Sequence, residues 1–122
     1  YVQPHVQRIF SSLKQTGVPR IHFGTHTAGF LEAFADMDCE VVGVDWRVAL
    51  PEAKKRIGNK ALQGNLDPAM LLAPWDTLRS EVDTMLGTIE PKRGYIFNLG
   101  HGMPPEADNT VVRKLVDYVH QK

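Results

Sequence analysis

Apolar positions along the chain recur with two alternating periods. Val6, Ile9, Phe10 and Leu13 fall at helical spacing, and Gly17 followed by Val18-Pro19 predicts the end of that helix. R-I-H-F (20–23) then reads as a short strand closed by Gly24. Residues 28–37 read as a helix with Phe30, Leu31 and Phe34 on one face. V-V-G-V-D-W (41–46) is nearly all apolar, the pattern of a parallel strand covered on both sides. Pro51 opens a short helix that runs to Ile57 and closes at Gly58. A third strand, A-L-Q-G (61–64), leads into N-L-D-P, where Asp67 is placed to cap a turn begun by Pro68. A longer helix at 74–88 turns Leu78, Val82, Met85 and Leu86 inward, and Pro91 breaks it. A strand at 95–99 follows, and Val111, Val112, Leu115, Val116 and Val119 mark the last helix.

The order is one helix and then βα four times, with no low-complexity linker, so residues 1–122 read as a single unit. Strands alternating with helices at this spacing imply an α/β fold with a parallel sheet and right-handed crossovers. Two architectures fit: half of a (β/α)8 TIM barrel, or a small open doubly wound sheet. A complete barrel takes about 250 residues, and the chain has 122. Period alone does not choose between them.

Composition narrows the partners. A hydrophobic content of 43% supplies a core, and 14 basic against 14 acidic side chains give no bulk pull toward nucleic acid or an anionic membrane. The single cysteine, Cys39, excludes an internal disulfide framework and a multi-cysteine metal site, which suits a reducing cytoplasm. No apolar run approaches the roughly 20 residues of a membrane span. The chain starts at Tyr1 and drops at once into a helical pattern, as expected of a piece of a longer protein.

In either architecture ligands gather at the C-terminal ends of parallel strands. The four exits read F-G-T-H (23–26), V-D-W-R (44–47), Q-G-N-L-D-P (63–68) and N-L-G-H-G (98–102). His101 stands out, because Gly100 and Gly102 leave its ring unshielded, and an imidazole there can bind a carboxylate or move a proton. The plainer reading is a histidine bonded to a loop carbonyl. Asp45 reads as a general base or a charged ligand contact, but the structural reading leads: an acid there caps the next helix or pairs with Arg47. Asn65 and Asp67 divide in the same way, with the N-L-D-P turn as helix-start chemistry and Asp67 most simply its N-cap, and Trp46 and Trp75 read as packing residues. His22 lies mid-strand, in a barrel interior or a core; His26 is a weaker loop candidate, and His5 and His120 carry no signal. Nucleotide-binding glycine loops, H-E-x-x-H and C-x-x-C are absent from the sequence.

Three ordered stretches, V-V-G-V-D-W-R (41–47), L-Q-G-N-L-D-P (62–68) and Y-I-F-N-L-G-H-G (95–102), together with L-V-D-Y-V-H (115–120), resemble the uroporphyrinogen decarboxylase family over nearly the whole chain. The resemblance implies a cofactor-free (β/α)8 barrel working as a homodimer, of which this chain is the C-terminal half, strands five to eight. It implies a tetrapyrrole substrate, uroporphyrinogen III, whose four acetate arms lose carbon dioxide to give coproporphyrinogen III in haem biosynthesis. By resemblance His101 is the family's substrate-binding histidine, with Gly100 and Gly102 as backbone neighbours. The family's R-Q-A-G-R motif, central aspartate, tyrosine and serine match no position here, so no catalytic residue is assigned, and these residues alone are expected to be inactive. Asp45 matches a different motif and does not replace the missing aspartate.

A corrinoid methyltransferase of the same superfamily is the rival enzyme reading. Its zinc-binding His-x-Cys pair is not met by His22-Phe23-Gly24, and His101 stands where its later cysteine would be, so no metal is expected. A non-catalytic binding domain is the other alternative. Half a barrel also exposes two edges, which predicts self-association or pairing with the missing N-terminal half.

Overall fold

The computed structural model describes residues 1–90 and 93–122. The expected helix break at Pro91 lies outside them. The elements are α1 (Gln3–Leu13), β1 (Ile21–Phe23), α2 (Leu31–Ala35), β2 (Val41–Gly43), α3 (Leu50–Ile57), β3 (Ala61–Leu66), α4 (Trp75–Gly87), β4 (Tyr95–Leu99) and α5 (Asn109–Val119). The four strands form one parallel sheet in the order β1-β2-β3-β4.

That order settles the architecture. A doubly wound sheet reverses its strand order at a switch point and carries helices on both faces. Here neighbours in sequence are neighbours in the sheet, so right-handed crossovers place every helix on the same side. The result is an arc of the TIM-barrel kind, with α1 preceding four βα units.

Register assigns each side chain to a face. His22, Val42, Leu62 and Tyr95 align across the sheet and look toward the helices. There Val42 and Leu62 pack with Leu31, Leu50, Ala53 and Ile57, while Leu66, Leu71, Leu78, Val82, Leu86 and Leu115 fill a second cluster around α4 and α5. Met85 and Tyr95 touch both clusters and join them. Each such leucine contributes about 1.5–3 kcal/mol on burial. The opposite face carries Phe23, Gly43, Gln63 and Ile96 in line, and among the described residues no helix covers it. Ile21 and Phe23 remain 47% exposed and Ile96 42% exposed.

Local chemistry explains the boundaries. Asp67 accepts the Ala69 N–H at 2.9 Å and starts a short 3-10 turn, as expected. Asp108 does the same for α5, accepting from Thr110 N at 2.7 Å. Lys54, Lys55 and Arg56 in the last turn of α3 complement its dipole, and Gly58, at φ 66°, ends it.

Three expectations change. The helix expected at 28–37 is a 3-10 turn followed by the short α2, with Phe30 off the helical conformation at φ −143° and ψ 34° between them, so Phe30 stays exposed while Leu31 and Phe34 pack. On α1 only Val6 and Phe10 reach the core, leaving Ile9 and Leu13 exposed, because one side of that helix meets the layer. The strand expected at 41–46 pairs only over Val41–Gly43, whereas β3 runs on to Leu66. Past Gly43, Val44 still donates to Gln63 O at 2.9 Å, and side-chain bonds then take over from the ladder.

The N-terminal ends of the strands are tied by ions that the sequence reading did not single out. Parallel register sets residue 20 beside residue 40. Buried Arg20 donates through Nη2 to Glu40 Oε1 at 2.5 Å, through Nε to Glu40 Oε2 at 3.1 Å, and through Nη1 to Phe10 O at 2.5 Å. The side-chain bond from Arg20 holds the Glu40 carboxyl down at about 2. Lys60, one strand further on, donates to Met37 O at 2.8 Å and Cys39 O at 2.5 Å. The signal was available: each of these charges directly precedes a strand in the parallel set.

Candidate functional site at the strand exits

Two glycines let the exits close on one another. Gly64 has φ 136°, and a Cβ there would stand 2.6 Å from the Val44 carbonyl oxygen. At Gly100 a Cβ would stand 2.5 Å from the Trp46 backbone nitrogen. The exit of β4 is thus pressed against that of β2, and any side chain at residue 100 would force them apart. Gly102 has open space around its Cα. The two flanks of His101 therefore differ: Gly100 is required by backbone approach, and nothing in the structure requires Gly102.

Asp45 is 1% exposed. Its Oδ2 accepts from His26 N at 2.6 Å and Arg47 Nη1 at 3.2 Å, and its Oδ1 accepts from Arg47 N at 3.0 Å. Burial pushes this carboxyl upward, but the two backbone N–H groups and the guanidinium outweigh it and hold the pKa below the ordinary carboxylate value. His26, at φ 60°, is fixed in the left-handed region by that bond. Buried Asn65 donates through Nδ2 to Asp45 O at 2.8 Å and Val48 O at 2.5 Å. Tyr95 closes the set by donating its hydroxyl to Gly64 O, and burial raises its pKa. Asp45 and Asn65 are structural staples of the exit, the reading preferred for Asp45 from sequence.

His101 is exposed beyond β4 and meets the Trp46 ring at 6.0 Å with an interplanar angle of 89°. The Arg47 guanidinium lies over the same indole, 4.0 Å from its centroid. Trp46 is thus more than the packing residue expected: it bridges the exits of β2 and β4. The adjacency comes from pairing across β3 and has no signature in sequence. Trp75 does pack, edge-to-face with Tyr118 at 5.7 Å.

His22 belongs to the core rather than to a barrel interior. Its ring stacks on Phe34 at 3.5 Å, and Nδ1 lies 3.2 Å from Phe34 O. Burial lowers its pKa, which favours the neutral ring. His5 lies on α1 beside Arg8, and His120 caps α5. Cys39 is buried against Lys60, away from the exits. Among the described residues no three His, Cys, Asp or Glu side chains are grouped to hold a metal ion, and no helix is long and apolar enough to cross a membrane.

An arc of parallel βα units with a polar, glycine-closed rim at its strand exits is part of a TIM barrel, a class in which ligands gather at the C-terminal mouth. The sequence model of the uroporphyrinogen decarboxylase (URO-D) family matches residues 1–122, and the chain belongs to that family. It is 47% identical over 122 residues to the uroporphyrinogen decarboxylase of Salinispora tropica, covering 99% of this chain and 33% of that protein. The protein of the same name from Thermobifida fusca is 46% identical over 120 residues, at 98% and 33% coverage. That of Thermus thermophilus is 46% identical over 121 residues, at 99% and 36% coverage. The chain thus spans about a third of the length of the curated relatives it matches.

Proposed function

We propose that this chain forms the C-terminal part of the barrel of a uroporphyrinogen decarboxylase, an enzyme that removes carbon dioxide from the four acetate arms of uroporphyrinogen III to give coproporphyrinogen III. The observation that carries the reading is the family match over residues 1–122, together with the three stretches that carry the sequence resemblance, which run through the exits of three adjacent strands with exposed His101 at the outermost. The chemical difficulty is the carbanion left as carbon dioxide departs. Protonation of the pyrrole turns that ring into the electron sink, so the reaction needs no cofactor. A carboxylate then balances the positive pyrrole, and donors hold the acid arms.

In this scheme His101 is a substrate-binding residue: its ring is exposed, its neighbour Gly100 is buried in the backbone contact, and the imidazole offers a donor to a carboxylate. Asp45 is not the balancing carboxylate, since both of its oxygens are already engaged. That group, with the arginine-rich motif, comes from outside residues 1–122, which act as a single unit. The bare sheet face supports the same division. It is apolar at Ile21, Phe23 and Ile96, and it holds the buried Gln63 Oε1 with no hydrogen-bond partner among the described residues. We assign the covering of that face to the remainder of the protein, or to a second copy when residues 1–122 are alone.

Anaerobic turnover tests the reading. The full-length protein is expected to form coproporphyrinogen and residues 1–122 alone are not. A full-length protein without turnover would overturn the activity, and product from the short chain above the uncatalysed rate would overturn its incompleteness.

A further inference from the structure

The β2 exit uses both oxygens of Asp45 but only part of Arg47. The guanidinium gives one side-chain bond, Nη1 to Asp45 Oδ2 at 3.2 Å, and its other N–H groups meet no acceptor among the described residues. The side chain is 39% exposed. It is nevertheless held: Asp45 anchors one edge, and the Trp46 ring supports its plane at 4.0 Å from the Cζ. The Asp45 side chain is 1% exposed, so solvent reaches the guanidinium but not the carboxylate that anchors it. A planar cation fixed on two sides loses little side-chain freedom on binding, and its free donors match the spacing of carboxylate oxygens.

His101 stands perpendicular to the same indole at 6.0 Å. One tryptophan therefore carries two groups able to donate to acids, one from each of two strand exits. A tetrapyrrole whose rings each bear more than one acid arm presents several carboxylates, and Arg47 and His101 offer donors to them from one indole. On the strength of the proposed decarboxylase reading, we infer that Arg47 is a specificity-determining contact for a substrate carboxylate, acting beside His101 on the shared Trp46 platform. The exit of β2 then contributes directly to substrate binding through Arg47 while Asp45 and Asn65 hold its shape.

The test uses the full-length protein and its Arg47→Gln and Arg47→Lys variants in anaerobic steady-state assays with uroporphyrinogen, at low and raised ionic strength. Arg47→Gln is expected to raise KM about ten-fold with kcat within about two-fold, the size of one lost charge-assisted contact. Its KM is also expected to respond less to salt than that of the parent. Arg47→Lys keeps the charge but not the fork, so its KM is expected between the two. A purely structural Arg47 would lower the unfolding midpoint and leave KM and its salt response unchanged, which overturns the inference. Should Arg47→Gln fail to fold, the lysine variant decides alone: a parental KM overturns the inference, and a raised KM supports it. A parent protein that makes no coproporphyrinogen fails at the activity itself and takes this inference with it, an outcome distinct from an active parent indifferent to residue 47.

Discussion

The exits of β2 and β4 touch, and each carries an ionisable side chain flagged by its position at a strand end, yet the two are built in opposite ways. Asp45 is buried and saturated by three donors from residues 26 and 47. His101 is exposed and meets the edge of an aromatic neighbour, Trp46. A strand exit is a place where backbone ends and side chains converge, so it collects both staples and binding groups. Saturation separates them: a group whose donors and acceptors are already met has little left for a ligand, and its removal is felt by the fold. A group that is exposed and unsatisfied contributes little to the fold and is available for chemistry.

The largest effect is expected from Asp45→Ala. It strands the His26 N–H in a left-handed turn and leaves the Arg47 guanidinium without its counterion, at a cost of about 3 kcal/mol to the intact protein. Urea unfolding at neutral pH measures it, and a loss below about 1 kcal/mol would place Asp45 with His101 as a dispensable group. The pH dependence has a definite sign. Because the folded-state pKa of Asp45 lies below its ordinary value, its contribution is present above that ordinary value and disappears as the pH falls through the folded one. The gap between parent and Asp45→Ala is therefore expected to narrow on acidification.

Next in size is the contrast between the two glycines. Gly100→Ala drives a methyl group against the Trp46 backbone and is expected to cost about 2 kcal/mol. Gly102→Ala, with open space, is expected to stay within about 0.5 kcal/mol. Equal effects at both positions would mean that the glycines serve only to unshield His101, and would dissolve the distinction between its two flanks.

The smallest stability effect is expected at His101 itself. His101→Ala should leave the unfolding free energy within about 0.5 kcal/mol, since an exposed ring meeting one indole contributes little. The same variant of the full-length protein is expected to handle uroporphyrinogen less well. A large stability loss with unaltered kinetics would move His101 to the same class as Asp45.

Much of this was legible in the chain itself. Period, glycine and proline positions placed five helices and four strands near their observed positions, because hydrophobic spacing and caps are local properties. Asp67 could be read as a cap for the same reason: donor and acceptor lie two residues apart. The ordered motifs also pointed to the family that the whole chain matches. What hydrophobic period left open, and only the resemblance addressed, was the choice between barrel arc and doubly wound sheet, which depends on strand order, a relation between segments far apart. It did not show that Phe30 turns outward, since that follows from one backbone kink. Sequence ranked Trp46 as packing and read Arg47 only as a partner for Asp45, because the meeting of Trp46 with His101 requires β3 to lie between β2 and β4 in register. Local pattern determined which residues form elements and which stand at their ends. The tertiary structure alone decided which end groups are sealed by partners and which remain exposed, because burial and hydrogen-bond saturation are set by neighbours that the chain brings together only on folding.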